Sequence, residues 1–267
     1  MNTLRNGQFF GQTNETLDFD GLIITDTEYT HPYVDWHYHE NAYFTFILQG
    51  NVIEGNKKEI YECSAGTLLY HHWEDPHYNI KPDGFTRGFH IEIPREWFES
   101  LNVSKDNIEG SFNIKNPELK LSMYKIFKES KINDIESEAS TQELLLTIFN
   151  ELSSKKTLSE KKPIWVKQID ELLHETYTEK LNLKGLSNTL NIHPIHLSRD
   201  FNKYFQCNLG DYVRKLKINK SLSILPTNEK SLTEIALECG FADQSHFIRC
   251  FKENMGVTPL KYRKILE

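Results

Sequence analysis

The sequence predicts a mixed chain of two domains. The first is an antiparallel β-barrel with following helices, and the second is all-α, built on a double helix-turn-helix. Three observations carry this expectation. Up to about Pro94 the chain alternates apolar and polar residues, with glycine turns at close spacing. Residues 155–163 form a polar, basic stretch that ends in Pro163. The last hundred residues contain one helical pattern twice. The expected boundaries are 1–154, a linker at 155–163, and 164–267.

In the first part, Ala42–Leu48 is rich in aromatic and β-branched residues and stops at Gln49-Gly50. Asn51–Glu54 and Glu59–Tyr61 flank Gly55-Asn56, which reads as a hairpin turn. Thr67–Tyr70 follows Gly66, and Phe89–Ile93 alternates strictly until Pro94. Short strands so spaced suggest a barrel or a sandwich. Trp36, Tyr43, Tyr70, Trp73 and Tyr78, with His71, His72 and His90, suggest an aromatic pocket.

The middle of the chain reads as helices over Pro117–Lys131 and Glu136–Ser154. Leu144, Leu145, Ile148, Phe149 and Leu152 make a stripe wider than one barrel face needs. Part of it packs on the barrel, and the remainder, including Leu145 and Phe149, is expected to form a helix–helix seam between two chains.

The final part carries the repeat. Leu183 and Leu186 recur as Leu232 and Ile235, 49 residues on, while Arg199 and Phe201 recur as Arg249 and Phe251, 50 residues on. The extra residue belongs in the turn, where insertions are tolerated. Each copy reads as a short helix, a turn with one apolar residue (Ile192 or Phe241), and a second helix. Ser231-x-x-Glu234 is a capping box, Gly240 suits a left-handed helix end, Pro194 suits a first turn, and Asp243 and Thr258 suit N-caps. At about 100° per residue, Leu197, Phe201, Tyr204 and Phe205 face inward. Ile195, Ser198, Arg199, Asn202 and Lys203 face outward. Phe247 and Phe251 point in, while Ser245, His246, Arg249 and Lys252 point out. A helix in a major groove needs a guanidinium for guanine O6/N7, small or polar neighbours for other edges, and cations for phosphates. Ile195 suits a thymine methyl. A lone outward arginine is ordinary; two at the same place in matched units are not.

Residues 164–265, most densely Ile235–Lys252, Gly256–Pro259 and Tyr262-Arg263, resemble the DNA-binding domain of the AraC/XylS family of bacterial transcription regulators. The resemblance implies two helix-turn-helix units joined by a long helix, here Leu209–Leu225, and two recognition helices in adjacent major grooves of double-stranded DNA. It places base contacts on Ile195, Ser198 and Arg199, and on Gln244, Ser245 and Arg249. His196, Lys203, His246 and Lys252 flank them. RNA polymerase, a homodimer partner and a small-molecule effector come with the family, and activation and repression both stay open. One departure stands out: Gln206 occupies a position where the family usually has glycine.

Two pieces of the front resemble the cupin barrel that often precedes such domains: His37-Tyr38-His39 with Gly50, and Gly66 with Pro76-His77. In metal-binding cupins these motifs supply three histidines and a glutamate. Here the glutamate is missing, with Ala42 and Tyr43 where it should stand. The expectation is an organic-effector pocket at His37, His39, Tyr43 and His77, with no metal and no other cofactor; that the three imidazoles hold a divalent ion, or that they only finish the barrel mouth, stays open. A metal-dependent cupin enzyme, an oxygenase or isomerase with an accessory tail, is the alternative function. A helical protein-interaction module is a third, and it makes the arginine pair coincidental.

Composition sets outer bounds. The 267 residues carry a net charge of −7, unevenly shared: residues 164–267 hold 15 Lys/Arg against 12 Asp/Glu, so the acidic excess lies wholly in front. An acidic front repels DNA and confines contact to the basic end. Cys63, Cys207, Cys239 and Cys250 form no metal-ligand spacing and read as buried thiols in a reducing cytoplasm. No leader and no membrane span are apparent.

Overall fold

The computed structural model describes residues 2–101, 103, 108, 110–158, 162–227 and 229–266. The chain divides into two compact units, Met1–Ser154 and Lys155–Glu267.

Strands dominate the first unit. They are β1 (Asn2–Leu4), β2 (Gln12–Phe19), β3 (Leu22–Glu28), β4 (Tyr33–His39), β5 (Ala42–Gln49) and β6 (Asn51–Asn56). β7 (Ile60–Ser64), β8 (Leu68–His71), β9 (His77–Ile80), β10 (Arg87–Ile93) and β11 (Phe112–Asn113) follow. They form two sheets, in the orders β1-β4-β9-β6-β7 and β11-β8-β5-β10-β3-β2. β1 runs parallel to β4, and the other pairings are antiparallel. Neither ladder closes, so the expected barrel is corrected to two open sheets. The edge strands β1 and β11 have three and two residues, too few backbone groups to carry a ladder onward.

The hairpin of β6 and β7 forms, but its turn lies later than Gly55-Asn56. Gly55 pairs with Ile60 inside the ladder, and the Asn56 side chain caps the turn by accepting from the N–H groups of Lys58 and Glu59. Glycine at 55 has a packing cause: a Cβ there would lie 2.3 Å from the Tyr78 ring of β9.

Three helices follow the strands: α1 (Arg95–Ser100), α2 (Pro117–Ile132) and α3 (Ser137–Leu158). Tyr124 and Phe127 of α2 meet Phe46 and Phe89 edge-on. Leu145, Ile148 and Phe149 of α3 are fully buried. The Phe149 ring lies among Phe44, Tyr70, Trp97 and Phe98 at centroid distances of 5.0–6.1 Å. This overturns the seam at Leu145 and Phe149, because both side chains belong to the core of their own unit. α3 also runs to Leu158, so the first part of the 155–163 linker is helical. Residues 159–161 of that linker lie outside the described residues.

The second unit is helical: α4 (Ile164–Thr176), α5 (Leu183–Leu190), α6 (Pro194–Phe205), α7 (Leu209–Ile224), α8 (Leu232–Glu238), α9 (Gln244–Met255) and α10 (Pro259–Leu266). α5 with α6, and α8 with α9, are the two repeats. Each turn closes alike. Ile192 N–H donates to the Ser187 carbonyl at 3.0 Å, and Phe241 N–H to the Ala236 carbonyl at 2.9 Å. Asn191 and Gly240, one residue earlier, are both left-handed. Helix caps then resume at His193 and Asp243, so the inserted residue is Ala242. Gly240 is required twice over, since a Cβ there would lie 2.4 Å from the Thr178 carbonyl oxygen.

Ile169, Leu173, Leu186, Leu197, Phe201, Tyr212 and Leu216 make the core around the first repeat. Ile235, Ala236, Phe241, Phe247, Phe251 and Tyr262 are buried around the second. The capping box at Ser231 and Glu234 forms. The four cysteines are free thiols, three of them buried. No described helix is long and apolar enough to cross a membrane.

Two predictions follow from this packing. Phe149→Asp should cost the first unit several kcal/mol and unfold it, because an aromatic truncation in a packed core alone costs about 3–5 kcal/mol; chemical denaturation followed by near-UV circular dichroism checks this. Gln206 ends α6 at φ 55°, where Gly256 ends α9 at φ 74°. Gln206→Gly should therefore stabilise the second unit by about 1 kcal/mol, read as a raised denaturation midpoint.

Candidate nucleic-acid interface and histidine-lined cavity

The two helices expected to read DNA start from side-chain caps. The His193 ring accepts from the N–H of Ile195, and Asp243 accepts from the N–H of His246 at 2.8 Å. Buried Leu197 and Phe201 on α6, and Phe247 and Phe251 on α9, fix which side faces out. On α6, Ile195, His196, Ser198, Arg199 and Lys203 are all exposed, and Ile195 retains 70% of its surface. On α9, Ser245, Arg249 and Lys252 are exposed. Gln244 and His246 are only half-buried: Gln244 accepts from the Thr233 hydroxyl at 3.0 Å, and the His246 ring lies edge-on to Phe241.

The two arginines differ in their surroundings. Arg199 donates from Nε to Asp200 Oδ1 at 2.8 Å and from Nη2 to Oδ2 at 3.4 Å. Nη2 also lies 3.2 Å from His196 Nδ1. Arg249 borders a polar cleft with Asp211, Arg214, Lys215 and Glu253.

In the first unit the structure brings His37, His39, Tyr43 and His77 together. His37 and His39 sit two residues apart on β4 and so share a face. Their neighbour His77 arrives on β9, paired with His37. Tyr43 on β5 donates its hydroxyl to His77 Nε2 at 3.0 Å. The opposite nitrogen, His77 Nδ1, donates to the Asp75 carbonyl, as His37 Nδ1 does to the Asp35 carbonyl.

The sequence reading missed several neighbours. Glu54 reaches the cluster from β6, with Oε1 3.5 Å from His71 Nδ1 and Oε2 accepting from Asn79 at 3.1 Å. Phe9 stacks on His90 at 3.9 Å, and Phe10 meets His37 edge-on. The cavity among these side chains has a volume of about 40 Å³. Of the aromatics grouped as a pocket, Tyr70 packs instead on Phe44, Phe112 and Phe149. Trp73 lies against Phe98 and Arg95, and Trp36 against Tyr78.

Burial controls the charge here. It pushes His77 and His90 down to about 3 and His39 and His71 well below the usual histidine range. It also pushes Glu54 up to about 8 and Glu92 up to about 7. The Glu54–His71 contact is accordingly a neutral one near pH 7, not an ion pair.

Two repeats whose turns close through the same hydrogen bond after a left-handed residue define the second unit as a double helix-turn-helix module. Residues 186–265 match the helix-turn-helix domain family. The chain is 34% identical over 86 residues to the probable transcription factor PqrA of Proteus vulgaris, covering 32% of this chain and 70% of that protein. It is 30% identical over 127 residues to the bifunctional transcriptional activator/DNA repair enzyme AdaA of Bacillus subtilis (strain 168), covering 47% of this chain and 60% of that protein. Among solved structures, ToxT of Vibrio cholerae is 16% identical over 91% of this chain and 98% of its own, with a TM-score of 0.39. The chain belongs to the AraC/XylS family of DNA-binding transcription regulators.

Acid should loosen the first unit. Its histidines bind protons less readily folded than unfolded, so stability present above about pH 6.5 is lost as pH falls toward their folded values. The raised carboxyls act oppositely: Glu54 and Glu92 favour the fold at low pH and lose that contribution as pH rises toward 7 and 8. Five depressed histidines, with His37 included, outweigh two carboxyls below pH 6.5. Near-UV melting in chelator-treated buffer should show the melting temperature falling between pH 6.5 and 4.

Proposed function

We propose that the chain is a sequence-specific DNA-binding transcription regulator. Its first unit receives a ligand, and its second inserts α6 and α9 into adjacent major grooves. The carrying observation is the pairing of Arg199 and Arg249, exposed at the same position of two repeats whose turns close through the same hydrogen bonds. Arginine takes guanine O6 and N7 bidentately, and Ile195 and Ser198, or Ser245 and Gln244, stand beside it for neighbouring edges. Lys203 and Lys252 face the phosphates, with His196 and His246 at the helix starts. Two inserts one helical turn apart, about 34 Å, place both helices on one face of the duplex.

Ligand occupancy at the histidine cluster shifts the population of first-unit states and thereby the presentation of the two helices. A homodimer and RNA polymerase complete the proposed partners, with any dimer seam elsewhere than Leu145 and Phe149.

Arg199→Ala and Arg249→Ala should each lower affinity for the preferred site roughly tenfold to a hundredfold and relax preference at one base. Lys203→Ala and Lys252→Ala should instead weaken binding to every duplex and flatten its salt dependence. Titration of specific and scrambled duplexes at several salt concentrations separates the two; intact base preference in both arginine variants would refute the assignment.

A further inference from the structure

We propose that Glu54, His71 and His77 form a binding site for a divalent first-row transition metal, with zinc the natural probe. These three are not the histidine set to which the sequence motifs lead. They come from β6, β8 and β9, and their donor atoms lie within 4.8 Å of one another. Two imidazoles and one carboxylate are the donor set of three-ligand zinc sites that keep a fourth position open. Calcium and magnesium prefer all-oxygen shells, so the nitrogen pair selects against them.

Several features of the site point to an ion. Each donor side chain is almost wholly buried: Glu54 is 4% exposed, His71 1% and His77 3%. His71 already presents Nδ1 to Glu54, 3.5 Å from Oε1. His77 is already oriented, its Nδ1 donating to the Asp75 carbonyl so that Nε2 faces the cluster; this outer hydrogen bond is what ligating histidines ordinarily make. Glu54 is likewise held through Asn79. The ring of Tyr43 stacks on His71 at 4.1 Å and only 7° from parallel, which fixes the imidazole plane.

Charge favours this set over its neighbour. His37, His39 and His77 also lie close enough to share an ion, yet three neutral imidazoles leave both positive charges uncompensated in a buried place. Glu54 releases its proton when an ion binds and so supplies an anion, and among the described residues no lysine or arginine is paired with it. An ion between them offsets the cost of burying the carboxylate. Binding draws the donors inward, toward about 2.0–2.2 Å from the metal, and exchanges the Tyr43 hydrogen bond on His77 for a metal bond. The adjoining space admits water at the open position.

This deepens the ligand-receiving reading of the first unit, but its test does not depend on DNA. Calorimetric titration of zinc into the chelator-treated full chain should give one site per chain, and cobalt in its place should give visible d–d bands. Glu54→Gln and His71→Ala should each weaken zinc at least tenfold, whereas His37→Ala should stay within threefold. Glu54→Gln is nearly isosteric, and near-UV dichroism confirms that each variant remains folded. Absence of heat and of any melting shift with zinc in the unaltered chain would overturn the site. So would binding lost in His37→Ala but kept in Glu54→Gln and His71→Ala, which assigns the ion to the other histidines. If zinc binds once per chain and leaves DNA affinity unchanged, the metal site stands and the effector reading alone falls.

Discussion

The hydrogen bond from the apolar turn residue back to a carbonyl five residues earlier sets the geometry of the whole helical unit. It is made twice, from Ile192 to Ser187 and from Phe241 to Ala236. It requires a left-handed residue just before it, supplied by Asn191 in one repeat and Gly240 in the other. Once that turn closes, Ile192 and Phe241 are committed to the interior, the next helix leaves at a fixed angle, and its polar face has one direction to take. The outward placement of Arg199 and Arg249 is a consequence of backbone geometry before it is a matter of side chains. The second repeat is tied down harder: Lys217 donates to the Gly240 carbonyl, and Thr178 leaves no space at that glycine for a side chain.

The first unit faces a different constraint. Its sheets bury a polar cluster, and burial holds the imidazoles and carboxyls largely neutral. Buried polar atoms without partners cost about 1–3 kcal/mol each, and His39 Nδ1 and His71 Nε2 are in that position. An interior built only for stability would replace them with aliphatic groups. The apolar residues stand elsewhere, on the other side of the sheet, where Phe44, Tyr70 and Phe149 make the conventional core. Division of labour between the two faces of one sheet gives the unit both a stable core and a chemically distinctive hollow.

What the sequence made legible was mostly short-range. Helical periodicity, the capping box at Ser231, the left-handed ends at Gly240 and Gln206, and the outward arginines all depend on residues within a turn or two of each other. His37 and His39 were legible as a pair because strand parity alone puts them on one face. Parity also separates Tyr70 from His71, but it does not say which face is inward, so both were assigned to one pocket. Glu54 was missed because it meets His77 only through the pairing of β6 with β9, and His71 only across to β8 of the other sheet; nothing local to Glu54 announces either. Phe9 and Phe10 come to the cavity from still further away. The α3 stripe failed similarly: its width was visible, but the aromatic wall from β5, β8 and α1 that absorbs it was not.

The central claim is that two matched helices read one duplex together. Selection of duplexes from a random pool by the full chain tests it most directly. The account predicts enrichment of a bipartite sequence whose two halves lie about one helical turn, 10–10.5 base pairs, apart, with a guanine in each half. Enrichment of a single short element, or of none at low salt, would contradict it.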